Sequence, residues 1–198
     1  MSEKAYHHGN LRFALIEAAL DILDESGIDA VSIRQVAKRV GVAHSAPANH
    51  FKNKRALFTA LAAEIFKQLA QKIKLKLSNT PNNLNDSIHL FASTIVNFGL
   101  AYPNRYKLVW RKDELNHDDQ TLYEIMEVIY KQLGEILLTH SQQSDIDVES
   151  QVIALWSMIH GYVMLRLDGS LVAGRDEVSG AERQIAIIDV MLKGLNRT

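Results

Sequence analysis

Histidine is the residue type in this sequence with the widest chemical range, because imidazole can ligate metals and transfer protons near neutral pH. The chain has eight histidines, but no two of them are four residues apart, as a helical metal site of the His-Glu-x-x-His kind requires. Cysteine is absent, which removes thiolate ligands and nucleophiles. No glycine-rich phosphate loop or nucleophile elbow is present. We therefore predict a chain that is not an enzyme and that holds no metal and no cofactor.

A short polar segment at 44–50 has the side chains for a different kind of chemistry. His44, Ser45 and Asn49 lie on its predicted exposed side, and the three-residue turn Gly41-Val42-Ala43 precedes it. A helix this short is not stable by itself, so its neighbours and Phe51 must hold it. Two short helices joined by such a turn suit insertion of the second helix into a DNA major groove. We therefore predict a helix-turn-helix over Ile33–Phe51.

The ends of the neighbouring elements carry local signals. Ser32 followed three residues later by Gln35 has the capping-box form that begins a helix. Gly41 stands where that helix must end, often through a positive φ. Asn10 is predicted as the N-cap of the first helix, and Gly27 as its C-terminal stop.

The apolar pattern is helical nearly throughout, with no long alternation at period two. A fourth helix is predicted from about Asn53 for roughly six turns, and the clearest break follows at 78–83. Further helices are predicted at about 85–101, 103–112, 118–140, 147–168 and 181–196. The sequence thus predicts an all-α fold with two domains, a helix-turn-helix domain at 8–55 that extends to about 68 and a helical body at 80–197.

Composition limits the classes of protein that fit. Apolar residues make up 47% of the 198, and no run of eighteen of them exists to span a membrane. The first residues lack the apolar stretch of a secretory signal, so we expect a cytoplasmic location. Residues 1–78 carry twelve Lys and Arg against seven Asp and Glu, whereas 79–198 carry ten against sixteen. This asymmetry suits a polyanion partner, although solvated charged helix faces would also explain it.

The first third of the chain resembles the tetracycline-repressor (TetR) family of bacterial regulators. The matching stretches begin at Leu15-Ile16-Glu17-Ala18-Ala19 and continue through Gly27, 32–37, Gly41-Val42, 50–54 and Leu57-Phe58. Farther on, 156–161 looks like the Trp…His-Gly motif of one C-terminal subgroup of that family, and 7–12 looks like the same subgroup. The resemblance implies an N-terminal DNA reader and a C-terminal helical bundle for ligand binding and dimerisation.

By that resemblance, the segment at 44–50 would enter the major groove of double-stranded DNA. His44, Ser45 and Asn49 are the candidates for base-edge contacts, since asparagine can pair with adenine through two hydrogen bonds. The candidates for phosphate contacts are Ser32, Arg34, His50 and Lys54.

Three positions depart from the family pattern. Ala48 replaces a tyrosine that commonly touches a phosphate, Ala43 replaces a capping serine, and Pro47 lacks an amide hydrogen. A phosphate contact is therefore missing or moved to another side chain.

Aromatic and methionine side chains cluster after residue 90, and most must form the core. A few could line a cavity between helices for a small apolar or amphipathic ligand. The predicted ligand-binding residues are Trp110, Tyr123, Met126, Tyr130, Trp156 and His160. For His160, a core position is the alternative.

The last two predicted helices have broad apolar faces, and two copies of such a pair can form a two-fold four-helix bundle. The family resemblance puts the dimer at this place. The predicted dimerisation residues are Leu155, Ile159, Val163, Ile188, Leu192 and Leu195.

Together these features predict a ligand-responsive repressor that binds a palindromic operator as a homodimer. Two alternatives stay open at this point. The chain could act on DNA constitutively, without a ligand, or its input could be a protein partner.

Overall fold

A computed structural model describes residues 8–79, 83–140 and 147–195. Eight α-helices follow one another in these residues, with two short 3-10 turns and one isolated β-bridge between Arg175 and Glu182. The all-α prediction is confirmed. The helices are α1 (His8–Ser26), α2 (Ile33–Val40), α3 (Lys54–Leu77), α4 (Leu84–Ala101), α5 (Pro103–Val109), α6 (Gln120–His140), α7 (Val148–Leu167) and α8 (Arg183–Leu195).

The helix ends follow the local signals in most places. Gly27 stops α1 with a φ of 82°, as predicted. Because α1 already begins at His8, the predicted N-cap at Asn10 is wrong. Asn53 caps α3, since its Oδ1 accepts a hydrogen bond from the Ala56 amide at 2.9 Å. A 3-10 turn at Ile28–Ala30 was not predicted.

The chain divides into two compact units. The first comprises the described residues through Phe66 together with Tyr102–Glu124, and the second comprises Lys67–Ala101 and the described residues from Ile125 onward. This grouping differs from the predicted domains, which assigned all of 80–197 to the helical body. The segment Tyr102–Glu124 instead belongs to the unit that contains α1 and α2.

Specific contacts within the first unit explain this grouping. Arg105 forms a two-pronged ion pair with Asp24 of α1, with nitrogen to oxygen distances of 2.7–3.0 Å. The Trp110 ring meets Phe66 edge to face at 6.2 Å between centroids. The Asn116 amide donates to Thr59 Oγ1 at 3.0 Å. These contacts join residues 44 to 81 positions apart, so no local pattern reveals them.

The second unit is organised around α4. This helix packs against both α7 and α8. Phe91 and Ile95 of α4 are buried, as are Leu155 and Val163 of α7 and Ile188 of α8. The apolar sides of three helices thus form one core, which sets the orientation of α7 and α8.

Candidate nucleic-acid interface

Helix α2 is fixed at both ends as the sequence indicated. Ser32 Oγ accepts a hydrogen bond from the Gln35 amide at 3.2 Å, and Gly41 ends the helix in the left-handed region with a φ of 78°. Arg39 also binds Glu25 of α1 through two hydrogen bonds, which lower the pKa of the Glu25 carboxyl. Helix α2 is therefore held against α1 by its charged side as well as by its buried face.

The predicted helix at 44–50 is wrong in its type. The structure has a 3-10 turn at Ala46–Asn49 instead. The amides of Ala46, Ala48 and His50 each donate to the carbonyl three residues earlier, at 2.9–3.1 Å. Pro47 has no amide hydrogen, so it cannot make the bond that an α-helix would need there. We call residues 43–50 the reader turn.

The reader turn presents the predicted base-contacting residues to solvent. His44, Ser45 and Asn49 are all exposed, as is Ala48. Pro47 is buried beneath them. The polar side chains therefore share an accessible surface while the proline provides the attachment to the domain.

Phe51 anchors the reader turn from below. Its side chain is 2% exposed, and its amide donates to the Pro47 carbonyl at 2.8 Å. The Arg12 guanidinium lies 5.6 Å from the ring centroid, within the range of a cation–π contact. The buried ring thus fixes the backbone that carries the exposed residues.

The predicted phosphate-contacting residues lie on three elements around the reader turn. Arg34 is exposed on α2, and Ser32 at its start keeps a hydroxyl hydrogen to donate while its oxygen caps the helix. His50 and Lys54 are half-buried, and Lys54 Nζ lies 4.8 Å from the Phe58 ring centroid. All four side chains belong to the first unit.

A cavity of about 380 Å³ beside these residues brings further basic groups together. Arg12, Lys52 and Arg55 line it together with His50. Arg55 also donates to the Asp113 carbonyl at 3.0 Å. Arg12 stands on α1, 31 to 38 positions before the residues of the reader turn, so only the folded structure reveals that it is a neighbour.

The six predicted ligand residues are divided between the two units. Trp110 and Tyr123 lie in the first, and Tyr123 is 56% exposed. Met126, Tyr130, Trp156 and His160 lie in the second. Described residues line one cavity beside the reader turn and two in the second unit, and none of the six residues lines any of these three.

Tyr106, a neighbour of Trp110, is buried. Burial raises the pKa of its hydroxyl, while a hydrogen bond with Trp110 lowers that pKa.

Burial of His160 predicts a pH dependence of stability. Burial lowers the pKa of its ring below the usual 6.5, because desolvation disfavours the imidazolium. The unfolded chain therefore takes up this proton at higher pH than the folded chain, and the free energy of unfolding falls as pH falls from 7 to 5. Thermal melts across that pH range should show a smaller fall in melting temperature for His160→Gln than for the unmodified chain. If the melting temperatures of the two proteins fell by the same amount, His160 would not be the source of the pH dependence.

The predicted dimerisation residues face the interior of the chain. Leu155 and Val163 are 0% exposed, and Ile159, Ile188 and Leu192 are also buried. These five side chains are buried within the single chain, so they do not form an accessible contact surface, and the expectation is corrected. The side chain of Leu195 lies outside the described residues.

The opposite sides of α7 and α8 carry apolar residues that are exposed in the single chain. Ile153 and Leu165 of α7 are 50% and 47% exposed, and Val190 of α8 is 71% exposed. A Cβ built on Gly161 would meet nothing within 4 Å. We call these residues, with Ala154, Ser157, His160 and Met164 of α7 and Ile187 and Met191 of α8, the outer α7–α8 surface.

Other kinds of site can be assessed only where the structure describes the chain. There, no three or more His, Asp or Glu side chains converge as a metal site would need. None of the described helices has the length and apolar character needed to span a bilayer.

Comparison with known proteins places this geometry in a family. Residues 15–61 match the profile described as bacterial regulatory proteins, tetR family. Residues 88–188, more than half of the chain, match the tetracyclin repressor-like C-terminal domain. The chain belongs to the TetR family. The resemblance stated from the sequence motifs is therefore confirmed.

Curated TetR-family relatives match the N-terminal part. The tetracycline repressor protein class D of Escherichia coli is 46% identical over 54 residues, which span 27% of this chain and 25% of the repressor. The regulator BetI of Klebsiella pneumoniae is 34% identical over 71 residues, 36% of each chain. The matched stretch thus spans only a quarter to about a third of these relatives' length.

Solved structures extend the likeness of this TetR-family chain to the whole fold. A protein of unknown function from Rhodococcus sp. RHA1 superposes with a TM-score of 0.80 and 24% identity, covering 97% of this chain and 98% of that one. The transcriptional regulator FadR from Bacillus subtilis, in complex with stearoyl-CoA, has a TM-score of 0.69 and 19% identity, covering 92% and 96%. At these identities the likeness concerns the fold.

Proposed function

We propose that this TetR-family chain is a transcriptional repressor that binds a palindromic operator as a homodimer and is released from it by a small molecule. The observation that carries the proposal is the reader turn. It exposes His44, Ser45 and Asn49 together, and the buried Phe51 holds it to the domain. A polar, accessible surface on a rigid support is what base recognition in a major groove needs.

Within this proposal, the residues around the reader turn divide into two roles. His44, Ser45 and Asn49 contact base edges and supply sequence preference. The four residues Ser32, Arg34, His50 and Lys54 bind phosphates and fix the register on the duplex. The exposed methyl of Ala48 suits an apolar contact with a thymine methyl, in place of the phosphate contact that the tyrosine of other family members makes.

The outer α7–α8 surface is the proposed dimer interface. Ile153, Leu165 and Val190 are apolar and exposed in the single chain. The small residues of this surface, Ala154, Ser157 and Gly161, would let two helices approach closely. An interface with two-fold symmetry uses the same patch on both subunits. Two readers related in this way suit half-sites about one helical turn apart, or a multiple of that.

The segment Tyr102–Glu124 is the proposed route by which a ligand alters DNA binding. It lies within the stretch that matches the C-terminal domain of the family, yet it packs in the unit of the reader turn. Arg105 and Trp110 hold it there through Asp24 and Phe66. A ligand that favours a different position of this segment would thereby bias the reader, provided that it binds the two states with different affinity.

Footprinting on the intergenic DNA beside the gene tests the proposal. We expect a protected palindrome, released by a small apolar or amphipathic compound. Protection that no compound relieves would favour a constitutive regulator instead. Absence of any protected sequence would overturn the assignment as a DNA-binding repressor.

Substitutions in the two proposed roles should have different effects on operator binding. Lys54→Ala should weaken binding about equally on all sequences and reduce the slope of log affinity against log salt by about one, because one phosphate contact is lost. Asn49→Ala should instead cost about 1–3 kcal/mol on the operator and relax base preference at one position. Binding titrations on operator and single-base variants at several salt concentrations measure both. If Lys54→Ala changed base preference and Asn49→Ala weakened binding equally on all sequences, the two roles would be assigned to the wrong residues.

A further inference from the structure

A cavity of about 780 Å³ lies in the second unit, between the last turns of α3, the middle of α4 and the start of α8. We call it the α3–α4–α8 cavity. None of the predicted ligand residues lines it, and it is separate from the core between α4 and α7. It can hold a ligand of small-molecule size.

The walls of this cavity are mainly apolar and partly exposed. Leu75 is 67% exposed and Ile185 is 39% exposed, although both are large aliphatic side chains. Leu90, Val96 and Ile188 complete the apolar wall. A hydrocarbon chain in the cavity would remove the two exposed side chains from water, which favours binding in proportion to the apolar area covered.

The polar residues that line the cavity come from the C-terminal end of α3, from α4 and from α8, and they are Lys76, Asn79, His89, Ser93 and Gln184. Lys76 and Asn79 stand at the end of α3, and His89 stands near the start of α4. His89 Nε2 lies 2.8 Å from Asp189 Oδ1, so these two groups form a pair of their own. Lys76 is the one fully charged side chain among the described residues that line the cavity. Along α4 the cavity is lined by His89, Leu90, Ser93 and Val96.

A second cavity in the same unit has a more charged lining. It measures about 640 Å³ and lies between α3, the start of α4 and α6. Lys74, Lys131 and Glu135 line it, so charges of both signs are spread around its wall. Leu77, Val128 and Ile136 supply its apolar part.

We propose that the α3–α4–α8 cavity binds an aliphatic amphiphile with an anionic head, of the chemical class of a medium-chain carboxylate, and that this ligand is the effector. The tail lies along Leu75, Leu90 and Ile185, and the head lies beside Lys76. This inference rests on the proposed function, because an effector has a role only if the protein binds an operator from which the effector can release it. It names the chemistry of the ligand and its place in the fold.

Calorimetric titration of the full-length protein with octanoate, decanoate and 1-decanol tests the site. Because each methylene buried in an apolar wall contributes to affinity, decanoate should bind about tenfold more tightly than octanoate. Decanoate should also bind more tightly than 1-decanol, and Lys76→Gln should remove that preference. Equal affinity for the two chain lengths would overturn the tail assignment, and equal affinity for decanoate and 1-decanol would overturn the head assignment.

Variants at exposed positions separate the site from general surface binding. Leu75→Asp and Ile185→Asp each place a charge in the apolar wall and should weaken decanoate binding at least about tenfold. Leu138→Asp is the matched control, because Leu138 is 61% exposed on α6 and is not among the residues that line the cavity. Its decanoate affinity should stay within about twofold of the unmodified chain. Equal losses in all three variants would contradict the proposed location.

Operator titrations with the same proteins separate this inference from the proposed function. Decanoate should lower operator affinity of the unmodified chain and of Leu138→Asp, but not of Leu75→Asp. Operator binding that no amphiphile changes would overturn the effector role while leaving DNA binding intact. If neither the unmodified chain nor any variant bound the operator while decanoate binding was retained, that result would count against the assignment as a repressor.

Discussion

Replacement of Phe51 by alanine should lower the stability of the first unit and abolish operator binding. The ring is 2% exposed, and removal of a buried phenylalanine costs about 3–5 kcal/mol. For a chain of this size the melting temperature should fall by about 6–20 °C. Since the Phe51 amide binds the Pro47 carbonyl, the reader turn loses its support even in molecules that stay folded. Thermal melts followed by circular dichroism, and operator titration below the melting range, measure the two effects.

Phe13 supplies the matched control for this experiment. It is also a phenylalanine of the first unit, but it is 56% exposed on α1. Phe13→Ala should change the free energy of unfolding by no more than about 0.5 kcal/mol. Equal destabilisation by the two substitutions would show that Phe51 does not anchor the reader turn.

Replacement of Gly161 by leucine should dissociate the proposed dimer while leaving the single chain intact. None of the described residues that pack around this helix comes within 4 Å of a Cβ built at this position, and leucine in a helix interior is favoured over glycine by about 0.8 kcal/mol. Across a two-fold interface, however, each extra side chain overpacks the contact by about 1–3 kcal/mol, and two copies are present. The dissociation constant of the dimer should therefore rise at least about thirtyfold. Analytical ultracentrifugation over a range of concentrations measures it.

Asn97→Leu is the comparison for Gly161→Leu, because Asn97 is exposed on a helix of the second unit but lies on α4, outside the outer α7–α8 surface. This variant should dimerise like the unmodified chain. If Gly161→Leu dimerised equally well, the interface would have to lie elsewhere. If it failed to fold as a monomer, the space around Gly161 would not be open as the structure has it.

Features that depend on a few neighbouring residues were predictable from the sequence. Ser32 and Gln35 mark the start of α2, and Gly27 and Gly41 mark helix ends, because capping and a positive φ are decided within one turn of the chain. The order of the helices and their approximate lengths follow from apolar periodicity. The family followed from motifs that combine these local requirements.

The sequence did not predict in the same way which other part of the chain each helix packs against. Helix α7 carries apolar residues on nearly every side, so periodicity alone could not show that Leu155 and Val163 face α4 while Ile153 and Leu165 face outward. The ion pair between Asp24 and Arg105 joins residues 81 positions apart. Pro47 is a local sign of the 3-10 form of the reader turn, because it lacks the amide hydrogen that an α-helix would use there.

The discontinuous first unit has a consequence for building chimeric regulators. A graft that exchanges everything before residue 80 would carry Asp24, Thr59 and Phe66 into the hybrid without the segment that holds Arg105, Asn116 and Trp110. In the hybrid, the Asp24 carboxylate would lack the Arg105 guanidinium, and the Phe66 ring would lack the Trp110 ring that covers it. A functional exchange should transplant Tyr102–Glu124 along with the N-terminal part, so the natural cassette for swapping DNA specificity consists of two separate pieces of the gene.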